Sequence, residues 1–306
     1  MKKFKFLCIV IVVSCITWGC SSLSNRSERL DYEDKIYETL ESHGFVGSVL
    51  VADSEGIIYE KSFGDDAITT GYEIGTLTAQ FTAAAITMLE KEGRLNLDDN
   101  LGKYFTNAGW MGEYSIRDLI NMNTRIPDYI DKTDFTVVTD KNMLTNEIFS
   151  YQPAGEITGN SSSNYYLLGL IIEQVSTMTY EEYVNKYVIQ PMGFKNIVVN
   201  KNDYKSFATQ GVCSNVYDMY HWNNAFFGGE ILSEKSQADL ESGEYEWMCG
   251  LNLKNGAYYG GNQTQMYSSH MMYGEGVYVI MLTNKFNPAI VSYAEEVYEL
   301  TTKYIE

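Results

Sequence analysis

Two places in the sequence are candidates for a hydroxyl nucleophile that attacks a carbonyl group, Thr76 and the run Ser161-Ser162-Ser163. Such a hydroxyl is a weak nucleophile at neutral pH unless an adjacent base takes its proton. Tyr259 is a candidate for that base in a hydrolase or transferase. Simpler roles are equally consistent with these residue types, since serines that precede an apolar helix are typical N-caps and tyrosine is common in strands. These residue types alone therefore do not decide between a catalytic and a structural role.

The elements that must position these residues follow from hydrophobic periodicity and from turn residues. Strands are predicted over residues 47–53, 56–60 and 278–283. Helices are predicted near residues 32–42, 76–92, 163–176 and 288–304. The second of these helices is Ala-rich and apolar almost all round, which is typical of a helix buried in the core. Strands at both ends of the chain around a helical middle predict one sheet built from both termini, with an inserted helical lobe.

The composition indicates a globular protein with an acidic surface. Of the 306 residues, 45% are hydrophobic, 20% are charged and 4 are prolines, which is typical of an ordered body with a substantial core. The formal net charge is −18. Such a surface repels polyanions, so no nucleic-acid partner is predicted.

The N-terminus has the pattern of a bacterial lipoprotein signal. Three lysines precede an apolar run of 13 residues, 6–18, which is shorter than the roughly 20 residues of a membrane-spanning helix. Residues 17–22 then resemble a lipoprotein box in which Cys20 is lipidated. Cys15 fits such a box by residue type, but polar residues directly follow only Cys20. A plain cleaved signal peptide or an uncleaved anchor remains the alternative, and each version places the body outside the cytoplasmic membrane.

The predicted organisation is a signal peptide, a short polar tether and a single domain. These are residues 1–19, 20–33 and 34–306, the last with a sheet lobe at about 34–70 and 245–306 and a helical lobe at about 76–200. Removal of the signal peptide takes away three lysines and changes the formal charge from −18 to −21.

Cysteine and histidine spacing indicates no metal site. Cys213 and Cys249 remain after processing, and two separate thiols are favoured over a disulfide, which stays open. His43, His221 and His270 are isolated from one another and from the cysteines. We therefore predict no metal and no cofactor.

Several segments resemble the serine β-lactamase and penicillin-binding protein (D-alanyl-D-alanine carboxypeptidase) superfamily, nearest to its class C-type branch. Residues 114–129 are similar to the family segment ITIRDLLTHTSGLPDY, apart from Met-Asn-Thr-Arg at 122–125. Further matches are Gly75 with 80–86 and 92–99, 164–173, and 188–194. The resemblance covers roughly residues 40–300. It implies an α/β (α+β) fold of the β-lactamase/transpeptidase type, in which an antiparallel sheet is flanked by terminal helices.

The resemblance also implies an active site whose first two motifs are altered. In the family, Ser-x-x-Lys opens the active-site helix, and the lysine helps to deprotonate the serine one helical turn away. Here Thr76 stands at the nucleophile position and Ala79 at the lysine position. The Tyr-x-Asn motif is replaced by Asn160 at the tyrosine position and Ser162 at the asparagine position.

The third motif, His-x-Gly or Lys-(Ser/Thr)-Gly, is matched to Tyr259-Gly260-Gly261. This match puts Tyr259 at the His/Lys position and Gly261 on the strand of the oxyanion hole. Placement of Gly260 at the histidine position is the alternative.

These substitutions favour a pseudoenzyme over an active enzyme. The β-methyl of Thr76 restricts χ1 and crowds the path of attack, while Ala79 and Asn160 supply no base. Loss of acid–base assistance alone typically costs about 10²–10⁴-fold in rate. The leading hypothesis is a lipid-anchored protein that binds a peptide, a peptidoglycan-like fragment or a protein partner. One alternative is an active hydrolase or transferase with a rebuilt site, and another is a purely structural surface module.

Overall fold

Within residues 28–199, 203–263 and 267–305, which the computed structural model describes, a seven-stranded antiparallel sheet forms the centre of the protein. The strands of this sheet and of a second, smaller sheet are β1 (Gly47–Ala52), β2 (Ile57–Phe63), β3 (Tyr72–Glu73), β4 (Val198–Val199), β5 (Val212–Ser214), β6 (Trp247–Met248), β7 (Leu251–Lys254), β8 (Ala257–Gln263), β9 (Ser268–Gly274) and β10 (Val277–Thr283). The order across the large sheet is β2-β1-β10-β9-β8-β7-β6. Both chain ends therefore contribute to it, as predicted.

The interior strands β1 and β10 are predominantly apolar because both faces of the sheet are covered there. Every residue of β1 and β10 is buried, and Leu50 pairs with Ile280 in their antiparallel register. Such strands appear in the sequence as continuous apolar runs instead of an alternating pattern. The edge strand β2 keeps a partly exposed face.

The helices of the described residues are α1 (28–42), α2 (Thr78–Lys91), α3 (Ile116–Ile120), α4 (Tyr129–Lys132), α5 (Lys141–Ser150), α6 (Ser162–Ser176), α7 (Tyr180–Val184), α8 (Val216–Phe227), α9 (Glu234–Ser242) and α10 (Ile290–Ile305). The terminal helices α1 and α10 pack together on one face of the sheet. There the hydroxyl groups of Tyr32 and Thr301 share a 2.8 Å hydrogen bond, and the ring of Tyr32 stacks on Tyr304 at 4.3 Å.

The other face of the sheet is covered by the helical lobe, whose central helix is α2. Phe81 of α2 stacks on Trp222 of α8 with ring centroids 3.9 Å apart. The indole N–H of Trp222 donates a 2.7 Å hydrogen bond to Gln80. Nearly all of α2 is buried, which agrees with its apolar composition.

The fold predicted from the sequence is confirmed, with differences in detail. Helices α8 and α9 follow residue 200, where the pattern indicated no element, and strands β3, β5 and β4 form a small second sheet that is too short to leave a periodic signal. Both Cys213 and Cys249 are free; the second is buried and the first is half-buried. The described helices include none that is long and apolar enough to cross a membrane. Cys20 lies outside the described residues.

Candidate functional site

The turn that precedes α2 holds Thr76 at the edge of a cleft. Residues Gly75–Leu77 form one 3₁₀ turn in which Gly75 has a φ of +55°. A Cβ at Gly75 would lie 2.6 Å from the Cβ of Asn262, so glycine allows the turn to approach β8 this closely. Thr76 is half-buried, and its hydroxyl donates a 2.7 Å hydrogen bond to the carbonyl oxygen of Gly261. The hydroxyl is therefore bound to the strand backbone.

The outer edge of β8 faces this turn. The neighbouring β7 pairs with β8 only as far as Tyr259, which leaves the rest of that edge without a strand partner among the described residues. Gly261 has a φ of +140°, and a Cβ there would lie 2.0 Å from the carbonyl oxygen of Ser269. A Cβ at Gly260 would lie 2.7 Å from Cδ2 of Leu77. Gly260 therefore allows β8 to lie against the turn, and Gly261 allows β8 to pack closely against the neighbouring strand β9.

The position one helical turn after Thr76 holds only the methyl group of Ala79. Ala79 is 3% exposed, and the backbone of Gly250 packs directly on it, because a Cβ at Gly250 would lie 2.3 Å from the Cβ of Ala79. Gly250 has a φ of +75°, a conformation that favours glycine. The side chain at this position supplies no amine, and backbone occupies the space beside it.

Four of the predicted site residues line one cavity of about 440 Å³: Thr76, Asn160, Tyr259 and Gly261. The structure thus brings the three altered motifs to a single cleft. Ser162 and Ala79 are not among the residues that line it. The rest of the lining is Trp247, Gly250, Asn252, Lys254, Gly260, Asn262, Ser269, His270, Val291 and Glu295.

The serine run has structural contacts and gives little support for a second nucleophile. The hydroxyl of Ser163 donates to the carbonyl oxygen of Pro127 at 2.6 Å and accepts from the backbone N–H of Tyr129 at 2.9 Å. Ser162 hydrogen-bonds with its backbone and side chain to the carboxylate of Asp128, whose pKa is raised by burial. Ser161 is the N-cap residue of α6, as predicted, but its side chain forms no capping bond.

Tyr259 and His270 lie on neighbouring strands at the side of the cleft that faces α10. Their ring centroids are 6.1 Å apart. Burial, and after it the nearby carboxylate of Glu295, raises the pKa of Tyr259. The phenol therefore stays protonated at neutral pH and is a poor candidate for a base. Burial lowers the pKa of His270 to about 4, so its ring is neutral, and its Nε2 has no hydrogen-bond partner among the described residues.

This arrangement is suited to binding. The hydroxyl of Thr76 has no basic side chain at the expected position, and its proton is directed to a carbonyl oxygen. Amide, indole and phenol groups in the cleft wall can hydrogen-bond or stack with a ligand. Within the described residues, no three His, Cys, Asp or Glu side chains are placed to hold a metal ion.

The profile of the family described as Beta-lactamase matches residues 33–301. The chain belongs to the beta-lactamase family. The resemblance found in the sequence motifs is thereby confirmed, and it extends over almost the whole described chain.

Curated relatives in this family match part of the chain. Protein flp of Staphylococcus aureus (strain MW2) is 30% identical over 179 residues, which are 52% of this chain and 36% of that protein. Penicillin-binding protein 4* of Bacillus subtilis (strain 168) is 32% identical over 176 residues, which are 52% of this chain and 39% of that protein. The chain spans under two fifths of the length of these relatives.

Solved structures of the beta-lactamase family show the same fold. FmtA from Staphylococcus aureus has a TM-score of 0.77 at 16% identity, with 90% of each chain covered. The class C beta lactamase from Rhodobacter sphaeroides has a TM-score of 0.73 at 16% identity, with 90% of this chain and 100% of that chain covered. These similarities show that the chain shares the fold of these proteins.

Sequence reasoning missed part of the cleft wall. His270 was considered only as a metal ligand, yet its pairing with Gly261 across β8 and β9 brings it to the cleft. Glu295 and Trp247 arrive from α10 and β6. No local pattern in the sequence marks His270, Glu295 or Trp247 as part of the cleft.

Proposed function

We propose that the protein is a lipid-anchored, extracytoplasmic member of the beta-lactamase family that binds a peptide or peptidoglycan fragment in its cleft without acylation. The observation that carries this proposal is the contact between Ala79 and Gly250 beside a Thr76 hydroxyl that is already bound to Gly261. In the family, a lysine side chain occupies the space next to the nucleophile. Here it holds a methyl group and backbone.

The energetics of acylation support the same conclusion. A hydroxyl without an activating base loses about 10²–10⁴-fold in rate from acid–base catalysis alone. Asn160 is exposed and carries an amide, which has no useful basicity. Binding, in contrast, needs only a shaped cleft and suitably placed polar groups, and the cleft wall supplies both.

The alternative of an active hydrolase with a rebuilt site has less support. Ser163 is held by two backbone contacts, and Ser162 is directed to Asp128. The raised pKa of Tyr259 removes the candidate base. A hydroxyl, a base and a carbonyl-binding site must meet for this chemistry. Neither Tyr259 nor the side chain at position 79 supplies the base.

Calorimetric titration with Nα-acetyl-L-lysyl-D-alanyl-D-alanine tests the proposal, because the family resemblance implies D-alanyl-D-alanine ligands. The wild-type protein should bind the peptide, and mass spectrometry should recover it uncleaved. Asn160→Ala removes a cleft amide and should weaken binding about 2- to 10-fold. Asn107→Ala, an exposed residue outside the cleft, is the matched control and should bind normally. Cleavage of the peptide, or absence of binding, would contradict the proposal.

A further inference from the structure

Two charged side chains line the cleft, Lys254 and Glu295, and neither forms an ion pair with another described residue. Lys254 is exposed at the end of β7, so water hydrates its ammonium group. Glu295 is half-buried on α10. A half-buried carboxylate without a cation has lost part of its hydration, and a bound cation would compensate for that loss.

Apart from the exposed Lys254, the other residues that line the cleft with Glu295 carry no charge. The cleft wall on this side is completed by Val291 of the same helix, by Tyr259 and by His270. His270 is 4% exposed and neutral, so it adds no positive charge that would satisfy the carboxylate or attract an anion. Its Nε2 atom has no hydrogen-bond partner among the described residues, so this wall contains a ring nitrogen that can still form a hydrogen bond.

The cation that fits this place is an organic ammonium group. Divalent metal ions require several oxygen or nitrogen ligands at once, and the described residues hold no group of three such acidic, histidine or cysteine side chains. An ammonium group needs fewer anchors: one carboxylate, a phenol oxygen as acceptor and the face of an aromatic ring. Glu295 and Tyr259 offer these groups, and both side chains line the same cavity.

We propose that Glu295 and Tyr259 form a subsite for a primary ammonium group of the ligand, with Val291 and His270 as its uncharged wall. This inference rests on the proposed binding function and adds the chemical class of one ligand group. It also gives the cleft a preference against anionic groups at its α10 side.

A pair of peptides that differ only in one charge tests the subsite. Nα-acetyl-L-lysyl-D-alanyl-D-alanine carries a free ε-ammonium group, and its Nα,Nε-diacetyl analogue carries none. Calorimetry with the wild-type protein should show the free ammonium peptide binding roughly tenfold more tightly. Resonances of the His270 ring in NMR spectra should shift when this peptide binds, because the ligand then enters the wall that contains His270.

Variants on α10 separate a contact with Glu295 from a general effect of charge. Glu295→Gln should bring the two affinities within about twofold of each other. Glu299→Gln removes the same charge from an exposed residue that pairs with Lys303, and it should keep the tenfold preference. Equal affinities of the wild-type protein for both peptides would overturn the subsite and leave the binding function intact. Failure of both peptides to bind would overturn the binding function and the subsite together.

Discussion

Replacing Gly250 by alanine should destabilise the protein more than the same change at Gly256, because only Gly250 packs on Ala79. Both glycines have left-handed backbones, with φ of +75° and +79°. A Cβ at Gly250 would lie 2.3 Å from the Cβ of Ala79, whereas a Cβ at Gly256 would have no atom within 4 Å. Comparing the two substitutions therefore separates the cost of the contact with Ala79 from the cost of placing alanine in a left-handed conformation.

The expected magnitudes follow from these two terms. A left-handed conformation costs an alanine about 1–2 kcal/mol, and this cost applies at both positions. A methyl group forced into a packed contact adds about 1–3 kcal/mol at Gly250 alone. We expect Gly256→Ala to lower the free energy of unfolding by about 1–2 kcal/mol and Gly250→Ala by about 2–5 kcal/mol.

Urea unfolding followed by circular dichroism measures both values. Adding Ala79→Gly to Gly250→Ala should restore part of the free energy of unfolding that the packing contact removes, even though glycine within a helix costs about 1 kcal/mol. Equal losses at Gly250 and Gly256, with no coupling to Ala79, would show that the space beside Ala79 is open. A lysine at position 79 would then be sterically tolerated.

Three further outcomes concern location, pH and reactivity. The protein should fractionate with membranes, and Cys20→Ala should release or misprocess it; unchanged fractionation and processing would contradict the lipid anchor. Because burial lowers the pKa of His270 to about 4, the unfolded chain takes up this proton first as the pH falls. Stability should thus decrease between about pH 6.5 and 4, by up to about 3 kcal/mol, and His270→Gln should remove that part of the slope in urea titrations. Thr76→Ser, Ala79→Lys and Asn160→Tyr should each stay unreactive alone, since nucleophile and base act as a unit. The triple variant should also resist acylation by penicillin in mass spectra, because the backbone of Gly250 packs on position 79 and leaves a lysine side chain no room. An acylated triple variant would show that this space is open.

Local patterns predicted the elements, and motif order predicted the fold. The apolar runs of β1 and β10 and the Ala-rich α2 are visible in the sequence because they are buried on all sides. The altered residues at Thr76 and Asn160 were found because each stands beside a well-matched segment. These signals need no knowledge of tertiary contacts.

The features that decide the chemistry depend on contacts distant in sequence. Gly250 packs on Ala79 although 171 positions separate them in the sequence, and Glu295 lines the same cleft as Tyr259 only because α10 covers the sheet. No local pattern encodes either contact. The hydrogen bond from the Thr76 hydroxyl to the carbonyl oxygen of Gly261 also depends on a tertiary feature. The pairing of β7 with β8 ends at Tyr259, which leaves the edge of β8 open at Gly261.

Intact-mass spectrometry of the wild-type protein after incubation with penicillin tests the absence of acylation most directly. We predict an unshifted mass, because position 79, one helical turn after Thr76, carries no amine and the Thr76 hydroxyl donates to the carbonyl oxygen of Gly261. A mass increase equal to one penicillin, mapped to Thr76 and lost in Thr76→Ala, would contradict the binding-only function.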